Sequence, residues 1–304
     1  MKPDMAIMEA GVGTAQGEPV TPLVKTYWQN VRDRVMRDPM TMTVGAILLV
    51  ILLVSLLAPW LAPHDPYEGS VGNRLKPMGT PGHWLGTDET GRDMLSRIIY
   101  GGRLSLLCGL TPVVLATLIG GFIGLLAGTA GGIVNTILMR LMDVLYAFPS
   151  VLLAVAICGV LGAGIVNTIL SLTIVFIPPV VRITESLTTQ VRNLDFVEAA
   201  RAAGATHIEV IKFQIIANIL GPVFVYATSL VSISIILSSG LSFLGLGVVP
   251  PAAEWGLMLN AMRQALWVDP VIAAVPGAAI LITSMSFNLL SDGLRSAMDT
   301  RLKA

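Results

Sequence analysis

An all-α, polytopic membrane protein with six transmembrane helices is the fold the sequence predicts, and three observations predict it. Hydrophobic residues make up 54% of the 304-residue chain and charged residues only 12%, about half the share in a soluble domain. Mean hydropathy is +0.77. The charges gather between five uncharged runs, 39–64, 104–139, 144–181, 213–253 and 270–291, each at least as long as the roughly 20 apolar residues that cross a bilayer as a helix. This excludes an ordinary soluble enzyme and a disordered chain. Lys+Arg and Asp+Glu number 19 each, so no basic excess points to nucleic acid.

Residues 1–40 are expected to form a cytoplasmic tail with an amphipathic helix. The first 24 are rich in Gly, Pro, Thr and Glu without a period and read as disordered. Over 25–38, Tyr27, Trp28, Val31 and Val35 share one helix face while Arg32, Arg34 and Arg37 lie elsewhere, which suits a helix on the membrane surface. A cytoplasmic extension of the first span is the alternative. The first apolar run begins after about forty residues with no small-residue cleavage site behind it, so no cleaved signal peptide is expected.

Span 1 covers 41–62 and ends at Pro59, Trp60 and Pro63, with Trp60 as an interfacial anchor. Residues 63–103 form a periplasmic segment. In it Met94, Leu95, Ile98 and Ile99 make a narrow apolar face, and Asp93 and Arg97 are spaced to pair on a helix surface. An interfacial helix is expected there. It either contacts a partner and guides substrate or only caps the bundle. Residues 104–294 form the core, with spans at about 104–128, 133–158, 164–184, 217–244 and 271–291. Gly128, Gly131 and Gly132 separate spans 2 and 3. Pro149 in span 3 and Pro178-Pro179 in span 4 predict kinks. Residues 295–304 read as a cytoplasmic tail.

Six spans put both termini on one side. With that side inside, thirteen basic residues lie within and six outside, which favours cytoplasmic termini by the positive-inside rule. The arrangement of the remaining charge is informative. Spans 1, 5 and 6 hold no ionisable residue, and Arg140, Asp143 and Arg182 sit at inner ends. An ion-coupled carrier usually keeps such groups near mid-membrane, so an autonomous secondary carrier or channel is the weaker alternative. No GxxxxGK[ST] phosphate loop occurs. Any ATP that drives transport must therefore bind another chain. Cys108 and Cys158 lie within apolar runs and read as packing residues. His64, His83 and His207 are scattered without metal-site spacing, and Asp88, Glu89 and Asp93 read as surface charges. No catalytic or metal-binding residue is assigned.

The loop between spans 4 and 5 is the richest segment. Asp195 with Glu198 has the spacing of a capping box, and Thr206 with Glu209 is a full one. Gly204 lies between, where a helix ends and the chain turns. Two short capped helices are expected, and helices this short need a partner surface. Ala199, Ala200, Ala202 and Ala203 allow close approach, while Phe196, Ile208, Ile211 and Phe213 supply apolar anchors. The alternative is a connector folded back on its own spans.

Glu198-Ala199-Ala200, three further residues and then Gly204 resemble the EAA motif of bacterial ABC importer permeases. Gln214-Ile215-Ile216-Ala217-Asn218 departs from that family's pattern, with Ala217 where proline is usual. Other stretches narrow the resemblance to the peptide/nickel class: Gly86-Thr87-Asp88 with Gly91-Arg92-Asp93, Asp143 to Ser150, Leu241 to Gly247 with Glu254-Trp255-Gly256, and Phe287-Asn288 with Asp292-Gly293. Together they cover about 25–304 in order and resemble the C-type permease of dipeptide and oligopeptide systems.

That resemblance implies a type I ABC importer permease fold and a bacterial inner-membrane location. It implies a coupling loop built from Asp195, Glu198, Ala199, Ala200, Arg201, Gly204, Thr206 and Glu209. It also implies a B-type second permease, two ATP-binding subunits that hold the ATP and magnesium, and an extracytoplasmic binding protein. This chain itself would carry no cofactor. Peptides are the expected cargo, with a chelated metal such as nickel or another small solute as runner-up. Span 5 is rich in hydroxyls, and we read Thr228, Ser232, Ser234, Ser238 and Ser239 as a wet translocation path. Small-residue helix packing is the alternative.

Overall fold

In the computed structural model, which describes residues 27–298, every regular element is helical. Helix α1 (Tyr27–Arg37) stops at Asp38, whose carboxylate caps α2 (Pro39–Leu56) by accepting from the Met40 and Thr41 amides. Pro39 at the first position of α2 has no amide hydrogen to lose. Val31 of α1 is buried, and the helix packs on α2 and on the final helix. The expected tail at 1–26 and the side chains of Tyr27 and Trp28 lie outside the described part. A short α3 (Ala58–Leu61) follows, then an irregular segment leading to α4 (Met94–Ala130).

Helix α4 corrects the expectation of a separate interfacial helix before span 2. Residues 94–103 are the first turns of one 37-residue helix. The reason lies in its cap and in its burial on more than one side. Asp93 accepts from the Ser96 amide, and Met94, Ser96, Arg97, Gly101 and Gly102 are all buried, so most of this stretch packs inside the protein.

The run of span 3 is also not one rod. Helix α5 (Gly132–Tyr146) and α6 (Ser150–Leu161) meet at Pro149 with a bend of 83°. Proline cannot continue the hydrogen-bond ladder. Gly128, expected to end span 2, lies inside α4, and the turn falls at Gly131. Helix α7 (Ile165–Arg192) runs through Pro178-Pro179 unbroken.

A small helix α8 (Asp195–Ala202) precedes α9 (His207–Glu209). From α9 the chain passes through a π-helical stretch, Val210–Ile216, into α10 (Ala217–Phe243). The helix of span 5 thus begins ten residues earlier than expected, and the second loop helix is its first part. With Ala217 in place of proline, nothing breaks the ladder there. Helix α11 (Trp255–Ala261) and α12 (Pro270–Met298) complete the chain. Arg295, expected in a tail, is in the last turn of α12; Arg301 and Lys303 lie outside the described residues.

Five helices, or six spans if the bent pair crosses as one, are long and apolar enough to span a bilayer. Their core joins α4, α6, α7 and α10 through Val113, Ala116, Cys158, Leu172, Phe176 and Ile235. The closest pairing is α4 with α7. Gly120, Gly124 and Gly128 recur every four residues along α4 and meet α7; a Cβ on Gly124 would stand 2.6 Å from the Val181 carbonyl oxygen. Small residues at this spacing let helix backbones approach where lipid removes any hydrophobic drive.

Candidate functional site

The loop after α7 is built on a buried base. Arg192, in the last turn of α7, donates from one guanidinium nitrogen to the carbonyls of Gly128 (3.0 Å) and Thr129 (2.9 Å) at the end of α4. Asn135 of α5 donates to the Ala127 carbonyl (3.2 Å) and to Glu185 of α7 (2.6 Å). The Arg192 bonds satisfy carbonyls that the helix end leaves without partners. With those of Asn135 they also tie α4, α5 and α7 into one unit at this end. Asp143 of α5 pairs with Arg140 at 3.9 Å, as its spacing predicts, and also with Arg182 of α7.

Val197 anchors α8 to that base. It is fully buried with Val210, Ile215 and Ile219, against Leu125, Leu187 and Val191. Burial of a valine contributes about 1.5–3 kcal/mol. Sequence reasoning did not single out Val197; its signal is a lone branched side chain on an otherwise Ala-rich and charged helix.

The end of α8 forms as Gly204 requires. The Gly204 amide donates to the Arg201 carbonyl (3.0 Å) and the Ala205 amide to the Ala200 carbonyl (3.1 Å). That is the Schellman pattern, which needs a left-handed residue, and Gly204 has φ +91°. Thr206 and Glu209 then close the predicted capping box: the Thr206 amide donates to Glu209 at 2.8 Å and the Glu209 amide to the Thr206 hydroxyl at 3.4 Å. The other expected cap is corrected. Leu194 is the N-cap residue of α8 and makes no side-chain bond, while Asp195 is already helical. Asp195 and Glu198 instead place their carboxylates in the first turn, at the positive end of the helix dipole.

What remains is an exposed surface. Glu198, Ala199, Arg201 and Gly204 face outward, with Ala200 half-buried. Phe196, Ile208 and Phe213 are 42%, 75% and 61% exposed. Ile211 turns inward to the base. The helix–turn–helix is thus fixed in backbone and leaves these apolar side chains uncovered within the chain.

The five hydroxyl residues assigned to a path occupy a different setting. Ser232, Ser234, Ser238 and Ser239 are buried within this chain, and Thr228 is half-buried. The Ser238 hydroxyl donates to the Ile235 carbonyl at 3.1 Å and Thr228 to Phe224 at 2.9 Å. The hydroxyls of Ser234 and Ser239 are buried without a partner among the described residues. Such burial fits close packing of α10 on its neighbours.

At the other end of α4 the structure corrects the reading of the acidic residues as surface charges. Asp88 and Asp93 are buried. Asp88 accepts from the Thr90 amide and hydroxyl, the Arg92 amide and the Arg92 guanidinium, all within 3.0 Å. Burial pushes its carboxyl up, but these donors outweigh it and hold the group below its ordinary value. Arg97 pairs with Asp88 at 3.5 Å, not with Asp93, and donates to the Pro66 and Ala252 carbonyls.

Glu254 is fully buried and accepts from the Ser105 hydroxyl and the Gly256 and Leu257 amides at 2.8–3.1 Å. Burial raises its pKa despite those bonds. Two of the three histidines are not scattered either, while His207 stays apart at the start of α9. His64 and His83 meet Asp93 so that one ligand atom from each lies within 4.8 Å of the others, because the irregular segment folds back over the start of α4.

Residues 120–304 match the family model described as the inner membrane component of binding-protein-dependent transport systems, and residues 26–77 match the N-terminal transmembrane domain of oligopeptide transport permease C. The chain is 41% identical over 287 residues to a di/tripeptide transport system permease protein of Pseudomonas aeruginosa, covering 92% of this chain and 93% of that one. It is 37% identical over 281 residues to a glutathione transport system permease protein of Pectobacterium atrosepticum, at 92% and 93% coverage. A probable D,D-dipeptide transport system permease protein of Escherichia coli is 39% identical over 264 residues, at 87% and 88% coverage.

Proposed function

We propose, from the premise that the chain belongs to the inner membrane components of binding-protein-dependent transport systems and within them to the C-type permeases, that it forms one side of a path for short peptides and that α8 with its Gly204 turn receives the motion of an ATP-hydrolysing partner. Family membership makes it a multi-pass membrane subunit of a larger ABC complex. The remaining partners are a B-type permease, two ATP-binding subunits carrying ATP and magnesium, and an extracytoplasmic binding protein. The chain contributes no catalysis and holds no cofactor.

The observation that carries this reading is the docking loop. Its apolar side chains are exposed although Val197 and the two caps fix its backbone. Force applied to α8 reaches α7 through Asn193 and Leu194, and reaches α10 through the unbroken helix from His207. The bonds of Arg192 carry it on to α4. Of the α10 hydroxyls only the half-buried Thr228 lies near this chain's surface; Ser232, Ser234, Ser238 and Ser239 would line a path only after a rearrangement within the chain itself. Peptides are favoured as cargo by the names of the relatives.

Reconstitution tests the function. The full chain, placed in vesicles with both ATPases, the second permease and the binding protein, is expected to import a small peptide only with ATP, and alone to hydrolyse none. Uptake by the chain alone on an ion gradient would reject the reading. Sidedness has its own test: both termini are cytoplasmic, so cysteines placed at Gly72 and Pro251 should react with an impermeant label in intact cells. Reaction at Thr206 in those cells would reverse the orientation.

A further inference from the structure

His64 follows α3 at the end of the first span, His83 lies in the irregular segment, and Asp93 caps α4. The sequence separates the first and last by 29 positions, yet the three side chains converge. His83 Nδ1 lies 2.9 Å from one Asp93 carboxylate oxygen, and His64 Nδ1 lies 3.8 Å from the other. The two imidazole rings face each other with centroids 4.9 Å apart and planes tilted by 33°. They border a cavity of about 310 Å³ whose wall also carries Asp65, Glu68 and Asn73.

We propose that this cluster is a binding site for one divalent transition-metal ion of the zinc class. Two imidazoles and a carboxylate form the nitrogen–oxygen donor set that zinc-class ions prefer. Magnesium and calcium favour oxygen donors throughout. The carboxylates of Asp65 and Glu68 on the cavity wall add negative charge that favours a cation.

Asp93 is already oriented. Its second oxygen accepts from the Ser96 amide at 2.8 Å and the Ser96 hydroxyl at 2.7 Å. Such outer bonds fix the geometry of a ligating carboxylate. Bonds of about 2.0–2.2 Å to the ion require the donor atoms to draw closer than 4.8 Å. That adjustment falls on His64, whose side chain is 43% exposed, against 13% for His83 and 1% for Asp93. A bound ion joins the end of the first span to the first turn of α4 and holds the intervening segment between them.

The test uses the full chain, purified without a polyhistidine tag and assembled with its partner subunits, stripped by chelator and titrated with Zn²⁺ in a calorimeter. One tight equivalent is expected. His64→Ala should weaken it at least tenfold, and His64→Ala/His83→Ala at least a hundredfold, since removing a ligand should cost no less than the about 10–100-fold that losing an outer-shell partner costs. The parent should melt at a higher temperature with Zn²⁺, and the double variant should not respond. His64 is half-exposed, so its single variant keeps the fold and reads affinity directly. Equal affinity in the parent and both variants, or no binding by the parent, would leave His83 only a hydrogen-bond partner of Asp93 and overturn the site.

Discussion

The two ends of α4 are about 55 Å apart at 1.5 Å per residue, and they treat polar groups in opposite ways. At its first turns Asp88, Asp93, Arg97 and Glu254 are buried, and each is matched by named donors or acceptors within the chain. At its last turn the helix carbonyls are covered by Arg192 and Asn135, but α8 and the head of the helix from His207 leave Phe196, Ile208 and Phe213 exposed. One end closes on itself. The other is rigid in backbone and unfinished in surface. A buried charge network resists displacement because breaking one partner leaves the rest uncompensated. An exposed capped helix can accept a moving partner without unfolding. The first end is therefore the one built for stability, and the second is the one the proposed coupling role assigns to communication.

Paired substitutions can break that comparison. The largest effect on the fold should come from Glu254→Ala, which strips the acceptor from the Ser105 hydroxyl and the Gly256 and Leu257 amides. A loss of about 3 kcal/mol or more is expected, read as a lower melting temperature and lower yield in the membrane. Unchanged melting would mean that the carboxylate does not hold this end.

Gly204→Val should do the reverse. A branched residue at φ +91° is strained by about 1–2 kcal/mol, and no atom within 4 Å opposes the new Cβ. The fold should survive while ATP-dependent uptake falls at least tenfold. Uptake within twofold of the parent would remove Gly204 from the coupling route.

The smallest effect sharpens the contrast along α10. Ser238 bonds its own helix within a packed core, so Ser238→Ala should change the uptake rate less than threefold and leave the ranking of a peptide panel unchanged. A reordered panel would place a selective site in the permease itself.

Much of this was legible in local chemistry. The Thr206–Glu209 box and the Gly204 turn depend on residues within six positions of one another, so spacing reveals them. The helical bundle follows from uncharged runs longer than a bilayer needs. The Asp195 cap failed because the helix starts one residue earlier: Leu194 takes the extended N-cap conformation at φ −86° and ψ 147° without a side-chain bond, which makes Asp195 the first helical residue. The interfacial helix failed because a narrow apolar face looks the same whether its other side meets water or the buried Trp255, which bonds the Ile98 carbonyl at 3.0 Å.

By itself the sequence determined that the chain is a helical membrane protein and where its loop turns. Hydropathy, capping and glycine conformations act over one or two helical turns, and the sequence displays them directly. Only the tertiary structure decided that Asp88, Asp93 and Glu254 are interior, that Val197 pins α8, that span 3 bends by 83°, and that His64 and His83 share a cavity with Asp93. Those outcomes depend on segments far apart in the chain meeting in space. No periodicity records such a meeting, because burial of a charge is set by what packs against it.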